Sequence, residues 1–458
     1  MTPAPPSELT VAARRALADH RLHGLTVPNR SQFPAGYLWD TAVIAKGLAV
    51  HDPELAAQDI LRFLQAQWSS GMLPNEVYFE RARGREVFLG RQHGAPRGIT
   101  TSGITQPPLI VRSALEVGRR LPPERRRAFH EAVFPALLRL CQWAIDTRVG
   151  RRGLAVVIHP YETGMDNRID LAEAMTAHWL AGGGTVTELA RRSLLLALDA
   201  VRRGWGDLRT VSLEHRSSHR DVLAAQLQRR HIQRLGYDLA AIEASGRGVL
   251  IEDPCFNAVL IDALSCLDEL ATQLPATALA GTGLPGTALA GLRSAGRRLA
   301  TQLDDLWQPA ADGRPGHYAS RDYRTGRLSS RPTVSGLCAL LVDRGAERTR
   351  DLVRTLTDPS AYWTLVPPPS APIGSDGFDP EQYWRGAAWS FPTDIIETGL
   401  ELRGEHDVAQ ALRRAYLARP HGIEFAEYEN PLTGAPLGAR PFTPAAALTL
   451  RFADREGV

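Results

Sequence analysis

The chain has 458 residues, 44% of them hydrophobic and 22% charged, with a formal net charge of +3. That composition supports a large core, and the small charge, with no long basic run or basic-aromatic stripe, argues against a nucleic-acid partner. No run approaches the roughly eighteen apolar residues of a membrane span, and Met1 to Arg14 is Pro-rich and polar without an apolar signal core, so a soluble, cytoplasmic protein is expected.

The elements follow in chain order. Val27 to Asp40 is a connection rich in Gly, Pro and aromatics, and Pro53 to Trp68 then carries apolar residues at three- and four-residue spacing, the helical signature. Phe79 to Pro108 is a second long connection, followed by helical patterns over Pro107 to Arg119 and Glu124 to Thr147. Strict two-residue alternation is confined to short pieces such as Leu154 to Ile158, and His159 to Asp170 is a third connection. Leu180 to Gly248 is Arg-rich with weaker periodicity and reads as a lid or side insertion. Phe256 to Gln273 is helical; Pro275 to Gly291 holds the pentapeptide TALAG twice and reads as a surface loop, not a domain boundary. Helical patterns return over Val334 to Asp343 and Glu405 to Ala418, separated by the connection Tyr362 to Trp389 and followed by Glu424 to Pro444. The fold class is all-α, one domain over residues 1–458. Long loops in a compact domain are usually functional or disordered; these carry Trp, Tyr, Asp and Glu, which favours function and suggests loops converging on one mouth of a helical barrel.

Lys46 is the single lysine among many arginines, the coding bias of a GC-rich, bacterial genome. Cys141, Cys255, Cys266 and Cys338 each sit in an apolar helical pattern with no CxxC pair, so buried free thiols are expected. No His/Cys/Asp cluster has metal-ligand spacing, and neither a metal nor a cofactor is expected. His159 and His421 read as hydrogen-bonded loop residues.

Glycosidic cleavage needs two carboxyl groups at one bond, with aromatic faces and polar groups to hold the sugar. The loops supply candidates: Asp166 in His159-Pro-Tyr-Glu-Thr-Gly-Met-Asp-Asn167, Glu427 in Phe425-Ala-Glu-Tyr-Glu429, and the aromatics of Tyr383-Trp-Arg-Gly-Ala-Ala-Trp389. Taken alone, a loop Asp is equally a turn or cap residue, and the aromatic cluster is equally core packing.

Four segments in order resemble glycoside hydrolase family 63, in its bacterial mannosylglycerate and glucosylglycerate hydrolase branch. They are Tyr37-Leu-Trp-Asp40 with Gln67-Trp-Ser-Ser-Gly-Met-Leu-Pro74; Thr101-Ser-Gly-Ile-Thr-Gln-Pro-Pro108; Glu162-Thr-Gly-Met-Asp-Asn167; and Tyr383-Trp-Arg-Gly386 with Phe425-Ala-Glu-Tyr428 and Pro431-Leu-Thr-Gly-Ala-Pro-Leu-Gly438. The resemblance runs from about Phe33 to Leu450. It implies an (α/α)6 barrel and an inverting mechanism, with Asp166 as general acid and Glu427 as general base. It also implies a sugar subsite of Phe33, Tyr37, Asp40, Gln106, Tyr161, Gly164, Tyr383, Trp384 and Trp389. The partner is then a small carbohydrate; a homo-oligomer is left open.

The resemblance breaks on the acceptor side. After Asn167 the family continues Ser-Pro-Arg-Trp-Asp, whereas this chain reads Arg168-Ile-Asp170. Arg216 is the candidate for the family's carboxylate-binding arginine, with no tyrosine following in that loop. Phe442-Thr-Pro444 replaces a Gln-Ser-Trp stretch, and Val87-Phe-Leu-Gly90 replaces a tyrosine before a turn. The expectation is an α-glycoside hydrolase for a small glucoside or mannoside with a leaving group other than glycerate. The alternatives are a catalytically silent sugar-binding protein of the same fold and a sugar isomerase or lyase; the latter normally needs His pairs, absent near Asp166.

Overall fold

The computed structural model describes residues 6–80, 94–180, 188–205, 208, 211–276, 279, 287–311 and 313–458. Helices dominate, and the strands are only two or three residues long. The all-α expectation holds.

Local chemistry places the helix ends. Pro53–Leu64 begins where the Asp52 side chain accepts from the Leu55 N–H with proline in the first turn, and it buries Ala56, Ile60, Phe63 and Leu64 on one face. It stops before Trp68, because the chain turns back there: the Trp68 N–H donates to the Met72 carbonyl at 2.9 Å. The turn needs Gly71, at φ +98°, where a Cβ would lie 2.5 Å from the Arg139 carbonyl oxygen. Pro254–Thr272 starts with Asp253 accepting from the Phe256 N–H. Ile110–Arg120, Pro123–Arg148 and His406–Leu417 fall close to the expected segments. Val334–Asp343 divides into one α turn, Val334–Leu337, and a 3-10 turn, Cys338–Leu341.

Further helices lie outside the segments singled out by periodicity, among them Leu38–Leu48, Ser390–Leu402 and Thr443–Glu456. Leu38–Leu48 is buried at every residue, and the other two at nearly every one. These helices pack in a closed circuit. Leu38–Leu48 packs on Ile110–Arg120, that helix on Pro254–Thr272, and the last on the Val334–Leu341 turns; Ser390–Leu402 follows, then Thr443–Glu456, which returns to Leu38–Leu48. Amphipathic helices lie outside them: Pro53–Leu64 on Leu38–Leu48, Pro123–Arg148 on Ile110–Arg120, Thr287–Gln302 on Pro254–Thr272, His406–Leu417 on Ser390–Leu402, and Pro6–Asp19 on Thr443–Glu456.

Three small antiparallel sheets carry loops from these helices. Gly36–Tyr37 pairs with Glu76–Tyr78, which pairs with Thr100–Thr101. Val156–Val157 pairs with Ile251–Glu252, and Ala388–Trp389 with Tyr428–Glu429.

Within 180–248 the described residues form Glu188–Trp205, His219–Arg234 and Leu239–Ala244. His219–Arg234 opens with a capping box between Ser218 and Asp221 and packs on Ile169–Leu180. Pro275 to Gly291 lies largely outside the described residues, and its second TALAG copy opens the helix Thr287–Gln302; Val87 also lies outside them. All four cysteines are buried free thiols. No described helix is long and apolar enough to cross a membrane.

Candidate active site

All five long connections meet at one cavity of about 260 Å³. Phe33, Tyr37 and Asp40 come from the first, Gln106 from the second, Tyr161, Gly164 and Asp166 from the third, Tyr383, Trp384 and Trp389 from the fourth, and Glu427 and Phe442 from the fifth. Every sugar-subsite residue expected from the sequence lines it, and Arg216 joins them from the stretch before His219–Arg234. A larger groove of about 650 Å³ between Ile145–Gly153 and Ser294–Gln302 is lined by arginines and holds no carboxyl pair, so size is a poor guide to the chemistry here.

The loop bearing Asp166 is braced from below. Glu162 is buried and accepts from Arg148 at 2.8 Å and from the Ile158 N–H at 2.9 Å. Gly164, at φ +74°, ends a 3-10 turn; a Cβ there would meet the Trp39 ring at 2.7 Å. Asn167 accepts from the Trp384 N–H at 3.1 Å, tying this loop to the aromatic one. Arg168, wholly buried, pairs with Asp170 at 2.8 Å and Asp253 at 2.7 Å. The departure from the family pattern after Asn167 is thus an ion-paired foot under the loop.

Burial pushes the Asp166 carboxyl up to about 7, helped by the negative charge of Glu427 and opposed by Arg216 and the Tyr383 hydroxyl. An acid in that range is protonated when substrate arrives and able to give its proton up. Asp40, in the first turn of Leu38–Leu48, is pushed well above the carboxylate range, first by burial and further by Glu427 and Asp166.

Glu427 is 2% exposed. Arg216 donates to both carboxylate oxygens at 2.6 Å, and the Ala439 N–H donates to Oε2 at 2.9 Å. Gly438, at φ +74°, allows this approach, since a Cβ would lie 2.5 Å from Oε2. Arg216, expected from the sequence as an acceptor-side contact, lines the cavity, caps Glu427 and lies 5.1 to 5.9 Å from the ring centres of Phe33, Tyr383 and Tyr428. Its Nε has no hydrogen-bond partner among the described residues. Glu429 faces away from this chemistry and pairs with buried Arg419 at 2.9 Å.

The aromatic wall is continuous. Trp384 stacks on Trp389 at 4.0 Å and Trp389 on Tyr428 at 4.5 Å. Tyr383 meets Trp389 edge-on at 5.0 Å and is held at φ +51°, a strained backbone of the kind concentrated at functional sites. Of the residues thought to replace polar acceptor contacts, Phe442 lines the cavity; Pro444 does not, sitting in the first turn of Thr443–Glu456. Sequence reasoning missed Trp39, Asn75, Glu76, Ser217, Val222 and Phe391 as lining residues. Asn75 and Glu76 directly follow Gln67 to Pro74, so that motif's end was the available signal. The two loop histidines are hydrogen-bonded as expected, His159 to the Ala225 carbonyl and His421 to Glu424.

Residues 34–443 match the family model described as the mannosylglycerate hydrolase MGH1-like glycoside hydrolase domain. The chain belongs to this glycoside hydrolase family. Among relatives of this hydrolase, the mannosylglycerate hydrolase of Thermus thermophilus is 30% identical, over 93% of this chain and 95% of its own. The glucosylglycerate hydrolase of Mycolicibacterium hassiacum is 28% identical, over 97% of each. A crystal structure of the family 63 mannosylglycerate hydrolase from Thermus thermophilus, in complex with Tris and D-glycerate, superposes with a TM-score of 0.80, at 27% identity, over 97% of this chain and all of that one. The site of this family 63 hydrolase takes a carbohydrate.

Proposed function

We propose that this hydrolase is a single (α/α)6 barrel, its inner ring being the five helices and the Val334–Leu341 turns of the closed circuit, with residues 180–248 as a lid over the mouth. It cleaves a small α-linked glucoside or mannoside with inversion. The observation carrying this reading is the unlike pair of carboxyl groups in one aromatic-walled cavity. Burial keeps Asp166 protonated up to about pH 7, while Glu427 sits among charge-assisted donors suited to its anion.

In the reaction, Asp166 protonates the glycosidic oxygen as its bond to the anomeric carbon breaks. Glu427 takes a proton from the water that attacks that carbon from the opposite side. Asp166 ends as the carboxylate, Glu427 as the acid, and exchange with solvent restores both. Trp384, Trp389 and Tyr383 give the sugar its apolar face; Asp40 and Gln106 address its hydroxyls. The bidentate Arg216 pair uses one lone pair on each carboxylate oxygen, so Oε1, which among the described residues accepts from Arg216 alone, keeps a lone pair for the attacking water.

The Arg216 cap also favours a second reading, a sugar-binding protein whose base is held silent. One experiment separates the two and tests the stereochemistry: proton NMR of product from an α-glucoside or α-mannoside. Initial appearance of the β-anomer supports the hydrolase; initial α-anomer refutes inversion; no release from any α-glycoside, glycosyl fluorides included, supports the silent protein.

A further inference from the structure

The cavity wall holds one carboxylate that neither the acid–base pair nor the sugar subsite accounts for. Glu76 lies opposite Tyr37 in the register of Gly36–Tyr37 against Glu76–Tyr78. Its Oε1 accepts from the Tyr37 hydroxyl at 3.0 Å and the Tyr78 hydroxyl at 2.5 Å. Its Oε2 accepts no hydrogen bond among the described residues, and the side chain is half-buried in the cavity lining. Two tyrosines therefore fix a carboxylate with one oxygen left for a ligand.

The charges around it decide what that ligand is. The charged side chains lining the cavity among the described residues are Asp40, Glu76, Asp166, Glu427 and Arg216. The one cation among them is matched to Glu427 through both oxygens. Asp40 is held towards its neutral form by burial, and Asp166 must be protonated to act. Among the described residues, Glu76 is left as the charge with no counter-ion. It sits next to the end of the cavity formed by Phe33 and Phe442, whose rings meet edge-on at 6.0 Å; Phe33 meets Tyr37 in the same way at 6.0 Å. A small carboxylate leaving group would face Glu76 and apolar rings, with Arg216 already engaged.

We infer that Glu76 determines leaving-group specificity, accepting a hydrogen bond from the hydroxyl or ammonium group of a neutral polyol or amino-alcohol and rejecting a carboxylate. The inference rests on the α-glycosidase reading for the reaction and adds the charge of the leaving group.

The test is a matched series of α-glucosides and α-mannosides of glycerol, 3-aminopropane-1,2-diol and glycerate, with the corresponding glycosyl fluoride as a probe lacking a leaving-group contact. In the wild type, kcat/KM should be at least tenfold higher for the glycerol and aminopropanediol glycosides than for the glycerate one. In Glu76→Gln, which keeps an acceptor for both tyrosines, the aminopropanediol glycoside should lose about 10- to 100-fold, the scale of one charge-assisted bond. The glycerate glycoside should gain, and the fluoride should not change. A wild-type preference for glycerate, or an equal loss on all four substrates, overturns the inference. Dissociation constants for the three glycosides, measured calorimetrically on Asp166→Asn, must show the same order; that variant keeps the neutral state of the acid, so the cavity charge is preserved. If no substrate is cleaved, the hydrolase reading fails while these constants still decide the role of Glu76: tighter binding of the aminopropanediol glycoside supports it, tighter binding of the glycerate glycoside refutes it.

Discussion

Asp166 and Glu427 differ in what surrounds them, and their variants should differ accordingly. Asp166→Asn should lower kcat/KM by about 10²- to 10⁴-fold on an ordinary glycoside, the usual span of general acid catalysis, and far less on a glycosyl fluoride, whose leaving group needs no proton. Equal losses on both would show that Asp166 is not the acid. Because the carboxyl is raised to about 7, wild-type activity should fall as pH rises through that value. The same shift has a stability consequence. A carboxyl that binds its proton more tightly when folded favours the folded state below its unfolded value, about 4, and loses that contribution as pH rises towards 7. Asp166→Asn should therefore raise Tm by about 1–2 °C at pH 8 relative to its effect at pH 4, readable by calorimetry. Arg216 opposes the shift, so Arg216→Ala should move the alkaline limb of the pH–rate profile upward; an unmoved or lowered limb would contradict the placement of that guanidinium. Glu427→Gln should abolish turnover. Glu429→Gln should leave the chemistry in place and cost about 1–3 kcal/mol of stability, because Arg419 stays buried beside a neutral partner. Inactive Glu429→Gln with active Glu427→Gln would transfer the base by two positions.

At the scale of elements, the loop after Ile158 is a rigid support. Arg148 and Arg168 pin it through Glu162, Asp170 and Asp253, and Asn167 pins it to Trp384. Gly164 is its tightest point, with positive φ and the Trp39 ring against the missing Cβ. Gly164→Ala adds both a left-handed backbone cost of about 1–2 kcal/mol and a collision under Asp166. It should reduce kcat/KM at least tenfold with a far-UV spectrum unchanged; wild-type kinetics would mean the loop tolerates displacement. His219–Arg234 is docked by buried polar bonds, Gln228 to the Ile158 carbonyl at 2.8 Å among them, beside the Arg216 that pairs with Glu427.

Across the whole molecule, the inner helices share a buried ionic network. Lys46 of Leu38–Leu48 pairs with Asp394 of Ser390–Leu402, and Arg451 of Thr443–Glu456 reaches Asp394 at 2.9 Å and Glu397 at 2.8 Å. Arg413 joins from His406–Leu417 at 2.8 Å to Glu397. Such groups contribute little net energy when complete and cost much when broken. Asp394→Ala should therefore cost about 3–5 kcal/mol, seen as a lower urea midpoint, without altering KM, since none of these residues lines the cavity. A raised KM would mean the network positions the site as well.

The sequence by itself determined the all-α class, the family and the loops that build the site. Amphipathic helices advertise themselves through one polar and one apolar face, as Pro53–Leu64 and His406–Leu417 do, and ordered motifs such as Thr101 to Pro108 keep their identity wherever they fold. Leu38–Leu48, Ser390–Leu402 and Thr443–Glu456 were illegible for the opposite reason: buried on nearly all sides, they have no solvent face to create a period. The pairing of Arg216 with Glu427, 211 residues apart in the chain, was also beyond periodicity, as was the separation of Glu427 from Glu429 into two ion pairs. Spacing along a strand places two carboxylates on one side, but only packing decides which guanidinium each one meets. The charge left over at Glu76 is likewise a property of the assembled wall, because a carboxylate is paired or free only relative to the side chains that tertiary structure brings to it.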